Sequence, residues 1–294
     1  MRINGRAALW FPYGSIDEFK AAGGAYAGLP FLGPWANRLD EQAFYANGRR
    51  FAFDMAIGNV RGDYPIHGLL MTTDRWQVEE VMADGASAWV TSRLEFFREP
   101  LWMKQFPFAH TIEMTHRLRD GALEVATMIE NLGTDPMPVA VGFHPYFALT
   151  DCPRDEWVVS IGARRHWRLG ENKVPTGETD PIEAVCPDPR AVRVKDHALD
   201  HVFDDLVRDD SGTAVMSLRG RTERIDVELG PNYRSMVIYA PKSSSPDGDF
   251  ACLEPMAGIS NSMNLAHRGL YDDLQYIRPG GKWQDSFRIR PHGF

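Results

Sequence analysis

From residue 75 onward the chain keeps a period of two, and that period restricts it to pleated strands. In 88–96, Trp89, Thr91, Arg93 and Glu95 alternate with Val90, Ser92, Leu94 and Phe96; in 122–130, Leu123, Val125, Thr127 and Ile129 alternate with Glu124, Ala126, Met128 and Glu130. Successive side chains of a strand face opposite sides, so such alternation marks strands half-buried on one face. The runs 76–82 and 108–118 end at Asp84-Gly85 and Asp120-Gly121, a pair that accepts the positive φ angles of a tight hairpin. Segments 157–161, 214–218, 224–229, 235–239, 250–253 and 286–290 continue the pattern, and no long segment keeps a capped 3.6-residue period. The expected fold is all-β, two antiparallel sheets packed as a large β-sandwich.

With 294 residues and 44% hydrophobic content the chain is long enough to bury a large core, and a single domain over 1–294 is expected. The net charge of −8 comes with no Lys/Arg block, which argues against nucleic acid as a partner. No apolar run approaches the ~20 residues of a membrane span, and Arg2, Asn4 and Arg6 interrupt the N-terminus, so no membrane partner is expected. Cys152, Cys186 and Cys252 form no Cys-x-x-Cys pair, which suits a reducing cytoplasm. Residues 1–35 are rich in Gly, Pro and aromatics and read as turns and irregular loops; 170–193 reads as a long surface connection and 242–249 as a polar loop.

The chain lacks a Gly-x-Ser-x-Gly elbow, a His-Glu-x-x-His motif and a glycine fingerprint after a strand. His197 and His201 lack a third nearby metal ligand. What remains is a set of polar residues inside apolar context: Asn37-Arg38, His67 before Gly68, His144 in Val-Gly-Phe-His-Pro-Tyr-Phe, Asp200, and Glu254 in Cys-Leu-Glu-Pro. Pro145 and Pro255 stiffen the backbone of His144 and Glu254. Each residue has a structural reading: a satisfied core histidine, an arginine tying down a loop, a buried ion pair of Glu254 with Arg38. Together, one His and one Glu facing a cleft form the minimum kit for moving two protons at once.

In this order and at these intervals, Asn37-Arg38, His67-Gly68, His144-Pro145-Tyr146-Phe147, Leu199-Asp200-His201-Val202-Phe203 and Leu253-Glu254-Pro255 resemble the aldose 1-epimerase (galactose mutarotase) family. The tail, from Leu274 through Pro279-Gly280 and Trp283 to Phe287-Arg288-Ile289-Arg290-Pro291, is similar to that family's final strands. The resemblance implies a large antiparallel β-sandwich with a sugar site in a cleft on one sheet. It also implies that Glu254 is the general base, that His144 is the general acid, and that His67 adds a hydrogen bond near the ring oxygen. Asn37, Arg38 and Asp200 would hold hydroxyls, and Trp35 and Tyr146 would either lie against the sugar's apolar face or pack in the core. No metal or organic cofactor is implied, and the partner would be a small-molecule sugar. The other reading of the same fold is a sugar-binding or regulatory protein without turnover.

Two departures from the family's pattern stand out. Residues 1–10 resemble the end of an opening hairpin with earlier strands missing: either the true start lies upstream, or a sheet edge is left for a partner to cover, for instance a second copy in a homodimer. Met256 stands where many relatives have Gln or an aromatic, removing one polar contact. The lack of a Lys/Arg cluster near the motifs argues against a phosphorylated sugar, although Arg61, Arg75 and Lys104 keep it open.

Overall fold

The computed structural model describes residues 1–241 and 249–294, so the polar loop expected at 242–249 lies, except for Asp249, outside the described residues. Among those residues no helix is long and apolar enough to cross a membrane. Two large antiparallel sheets dominate. The nine-stranded sheet runs in the order Val192–Arg193, Val158–Ser160, Ala214–Arg219, Arg224–Leu229, Lys282–His292, Ala122–Asn131, His110–Arg119, Ser87–Glu95, Gln77–Ala83. The eight-stranded sheet runs Pro175–Pro181, Ala163–Leu169, Leu199–Leu206, Ser235–Ala240, Ala251–Met256, Gly142–Phe143, Phe31–Leu32, and Tyr146–Phe147 also pairs with Ala251–Met256.

The alternation read from the sequence is what packs the sheets. Val125, Ile129, Val227, Phe287 and Ile289 line the inner face of the nine-stranded sheet; Phe143, Phe203, Met236, Ile238 and Leu253 come from the other, and all are buried in one core. Phe143 and Phe287 meet across the interface with ring centroids 4.8 Å apart. Each such side chain contributes about 1.5–3 kcal/mol by leaving water.

Only one of the two Asp-Gly pairs makes the expected tight turn. At the other, Ala83 pairs with Ala88 around a four-residue loop in which neither Asp84 nor Gly85 has a positive φ and Asp84 Oδ1 accepts from the Ala86 and Ser87 N–H groups. Arg119 pairs with Ala122 around Asp120 and Gly121, whose φ angles of 50° and 72° are those of a type I′ turn. Asn4-Gly5 turns the short hairpin Arg2–Ile3 and Arg6–Ala7 in the same way, and that hairpin joins neither large sheet. The nine-stranded sheet ends at Gln77–Ala83, all of whose residues are exposed.

Two segments differ from the sequence reading. The 170–193 stretch is not a plain surface connection: Pro175–Pro181 is an edge strand against Ala163–Leu169, and Ile182, Cys186 and Val192 are buried. An edge strand has one free side, so Pro175 and Pro181 are tolerated at its ends, and its ladder shifts register at a bulge between the Trp167–Thr179 and Leu169–Pro175 pairs, where Gly177 (φ 99°) lies. The 1–35 stretch carries a helix, Ile16–Ala21, capped by the Ser15 hydroxyl accepting from the Glu18 N–H, while Glu18 accepts from the Gly14 N–H at 2.7 Å. Ser15-Ile16-Asp17-Glu18 is a capping-box sequence, a signal outweighed by the surrounding glycines and prolines.

Candidate active site

Three strands of the eight-stranded sheet carry an apolar residue followed by a polar one: Phe143-His144, Leu199-Asp200 and Leu253-Glu254. Phe143, Leu199 and Leu253 belong to the inter-sheet core, so the pleat turns His144, Asp200 and Glu254 to the sheet's outer face. There Gly142 pairs with Met256 and Tyr146 with Cys252, which sets His144 opposite Glu254. The His144 Nε2 lies 3.3 Å from Glu254 Oε1.

Asn37 and His67 reach this pair from a crossing of two loops, where both adopt left-handed backbone with φ of 57°. Such geometry is uncommon for residues other than glycine and concentrates at functional sites. The His67 N–H donates to the Asn37 carbonyl at 3.0 Å, and the Asn37 N–H donates to His67 Nδ1 at 3.3 Å. A ring nitrogen that accepts is unprotonated, so neutral His67 carries its proton on Nε2. Asn37 Nδ2 donates to Glu254 Oε2 at 3.3 Å. Gly68 permits the crossing, since at its φ of 62° a Cβ would run into the Gly33 carbonyl. Arg38 pairs with Asp200 at 3.6 Å, not with Glu254.

Electrostatics of the site follow from burial. Desolvation lifts Glu254 well above the usual carboxylate range, aided by the charge of Asp200 and opposed by Arg38 and the Asn37 hydrogen bond. The same desolvation lowers His144 to about 3 and holds His67 well below its ordinary value, with His144 adding to the latter. Tyr146 stacks on His144 with centroids 4.6 Å apart and 18° between planes, and its hydroxyl is pushed up, first by burial. Burial therefore favours a dyad holding one proton, with neither member charged. Transfer of that proton across the 3.3 Å contact gives the carboxylate–imidazolium form without changing the proton count.

The dyad forms the floor of a cavity of about 830 Å³, lined also by Asn37, Arg38, His67, Tyr146 and Asp200. The model of the family described as aldose 1-epimerase matches residues 4–290 of this chain. The chain belongs to the aldose 1-epimerase family. Its sandwich superposes on a galactose mutarotase-like protein from Clostridium acetobutylicum with a TM-score of 0.83, at 23% identity, covering 98% of this chain and 86% of the other. A GalM/aldose epimerase homologue from C. elegans gives a TM-score of 0.75 at 19% identity, covering 99% and 90%. An uncharacterized protein, YihR, of Escherichia coli (strain K12) is 23% identical over 231 residues, 79% of this chain and 70% of the relative.

Of the residues expected at the site, Asn37, Arg38, His67, His144, Tyr146, Asp200 and Glu254 all line this one cavity. Trp35 does not: it is 2% exposed and packs in the core on Phe53 at 4.7 Å, because it precedes the turn at Asn37 and faces inward. Met256 is buried against Gly142 and is not among the cavity's residues. Of the three basic residues, only Arg61 lines the cavity, and Arg75 pairs with Glu99 at 3.2 Å. His201 Nδ1 lies 2.8 Å from His166 Nε2, away from the cavity, and among the described residues no group of three His, Cys, Asp or Glu is placed to hold a metal. Sequence reading missed Trp10, Tyr13, Glu18, Tyr26, Tyr239 and Phe250 in the lining. The signal for Trp10, Tyr13 and Tyr26 was the density of aromatics among the glycines of the opening segment, and that for Glu18 was the capping-box pattern after Ser15.

Proposed function

We propose that this protein is an aldose 1-epimerase that interconverts the α and β anomers of a free hexose or related aldose. The observation that carries the reading is the His144–Glu254 contact at 3.3 Å on the floor of a cavity that also presents hydroxyl-binding groups. With the dyad in its charged form, Glu254 takes the proton of the anomeric hydroxyl while His144 protonates the ring oxygen. The C1–O5 bond breaks, C1 becomes a carbonyl carbon, and the dyad is left neutral. Burial favours that neutral form, so it pulls in the direction of ring opening. Rotation about C1–C2 and reclosure with the transfers reversed gives the other anomer and restores the dyad.

The remaining groups have matching chemistry. His67 offers Nε2–H as a second donor to the ring oxygen while its Nδ1 is engaged by Asn37. Asn37, Arg38 and Asp200 supply donors and acceptors for hydroxyls, and Tyr146 presents an aromatic flank for the sugar. Two basic residues line the cavity, Arg38, which is paired with Asp200, and Arg61, which would supply the charge for an anionic substituent.

Polarimetry on freshly dissolved α-glucose and α-galactose, with wild-type protein and with Glu254→Gln, tests the reading. Acceleration that the variant loses supports it. Calorimetric sugar binding with no acceleration by the wild type would select the non-catalytic sugar-binding reading instead.

A further inference from the structure

Across the eight-stranded sheet the polar groups lie in a fixed order: Asp200, then Glu254, then His144 and Tyr146, and beyond them a loop made by residues 10–28. That loop closes on itself through the Gly28 N–H to the Trp10 carbonyl at 2.9 Å. It is tied to the His144 strand by Trp10 N–H to Tyr146 O at 2.8 Å and Tyr146 N–H to Gly28 O at 2.9 Å. Compact loops with joined ends are frequent carriers of function. Phe11, Tyr13 and Phe19 pack on each other at 5.2–5.4 Å and hold the loop's shape.

Tyr26 is the exceptional residue of the loop. Its backbone is left-handed, φ 59°, in a position where glycine would be unstrained, and its side chain is 52% exposed while lining the cavity. A bulky residue in that region stores strain, and strain retained at a cleft with an exposed ring points to a contact made by the ring. Beside it Trp10 lies on Phe250 and Tyr146 at 5.0 and 5.8 Å, and Glu18, one oxygen of which accepts from Gly14, also faces the cavity. At about 830 Å³ the cavity lies in the upper part of the roughly 300–1,000 Å³ range that houses drug-sized ligands, well beyond one pyranose ring.

We infer that the 10–28 loop is a second sugar subsite, with Tyr26 as its stacking ring, and that the preferred substrate is a reducing disaccharide linked 1→6. The inference rests on the mutarotase reading for the orientation of the reducing sugar. With O1 at Glu254 and the ring oxygen at His144, C2 points toward Asp200 and C5 toward Tyr146 and the loop. The anomeric oxygen must stay free to react, and the O2 flank is closed by the Arg38–Asp200 pair. The exocyclic C6 is then the position whose substituent enters the loop. Aromatic faces take the apolar face of the second ring, and Glu18 accepts from its hydroxyls.

Anomer exchange of glucose, maltose (1→4) and isomaltose (1→6) is followed by NMR at equilibrium with the wild type and Tyr26→Gly. Glycine adopts the left-handed region freely, so this variant removes the ring and melts no lower than wild type. The wild type is expected to show kcat/KM for isomaltose roughly tenfold above maltose, and Tyr26→Gly to lower isomaltose roughly tenfold more than glucose. Equal handling of the two disaccharides, a preference for maltose, or an equal loss on all sugars in the variant overturns the subsite. If the wild type exchanges no sugar, the mutarotase reading fails by itself. Calorimetry with the same sugars then decides the subsite: tighter binding of isomaltose than glucose, lost in Tyr26→Gly, supports it, and equal binding overturns it.

Discussion

His144 and Glu254 stand opposite each other at one register position of an antiparallel pair, between Gly142–Met256 and Tyr146–Cys252. Neighbouring strands lie about 4.7–4.9 Å apart, so the imidazole and the carboxylate inherit their spacing from the sheet. Behind them Phe143 and Leu253 are locked in the core, which denies either strand a one-residue slip.

Glu254→Gln and His144→Gln are each expected to lower anomerisation by about 10²–10⁴-fold while sugar binding persists in calorimetry. Glu254→Gln removes a buried ionisable group and should not lower the melting temperature. Full polarimetric activity in either folded variant would sink the acid/base assignment.

The pH–rate profile should be broad. Turnover needs one proton on the dyad, and for free His and Glu that state spans only about pH 4.3–6.5. Burial widens the interval at both ends. The second proton arrives only near the His144 value of about 3, and the last leaves only above the raised range of Glu254. A measured bell narrower than the free-residue interval would contradict this.

Gly68→Ala is expected to cost at least about 2 kcal/mol in urea unfolding, because a left-handed backbone and a clash with the Gly33 carbonyl act together. Activity should fall as well, since the adjacent His67 depends on that crossing. A stability change under ~0.5 kcal/mol would mean that the crossing relaxes freely.

His110 provides a stability test away from the site. It is fully buried against Phe96 at 4.3 Å, its Nδ1 bonds the Phe108 carbonyl at 2.7 Å, and burial lowers it to about 4. The unfolded chain takes up this proton near pH 6.5 and the folded one only near 4, so acidification favours unfolding through that window. Stability should fall by about 3 kcal/mol between those limits, and less in His110→Gln, as read from urea midpoints at a series of pH values.

Much of this molecule is legible in its sequence. Period-two runs and Asp-Gly turns gave the antiparallel strands because side-chain alternation and hairpin φ angles are local properties. The polar residues lodged after Phe143, Leu199 and Leu253 stood out because a carboxylate or imidazole beside core positions is costly unless it is used. Trp35 illustrates the limit: its motif neighbours Asn37 and Arg38 face the cavity, but the direction of an aromatic ring in an irregular segment depends on what packs around it. The edge strand Pro175–Pro181 was hidden for a related reason, since prolines that would break a central strand are harmless on one with a free side.

The sequence by itself determined the fold class and the Asp120-Gly121 turn, both set by short-range backbone and side-chain chemistry, and it singled out His144 and Glu254 as polar residues lodged beside core positions. Only the tertiary structure decided that Arg38 belongs to Asp200, that His67 is held on one tautomer by Asn37, and that the opening segment walls the cavity. Those are contacts between residues 30 to 240 positions apart, and they exist only once the sheet register and the core have brought the strands together.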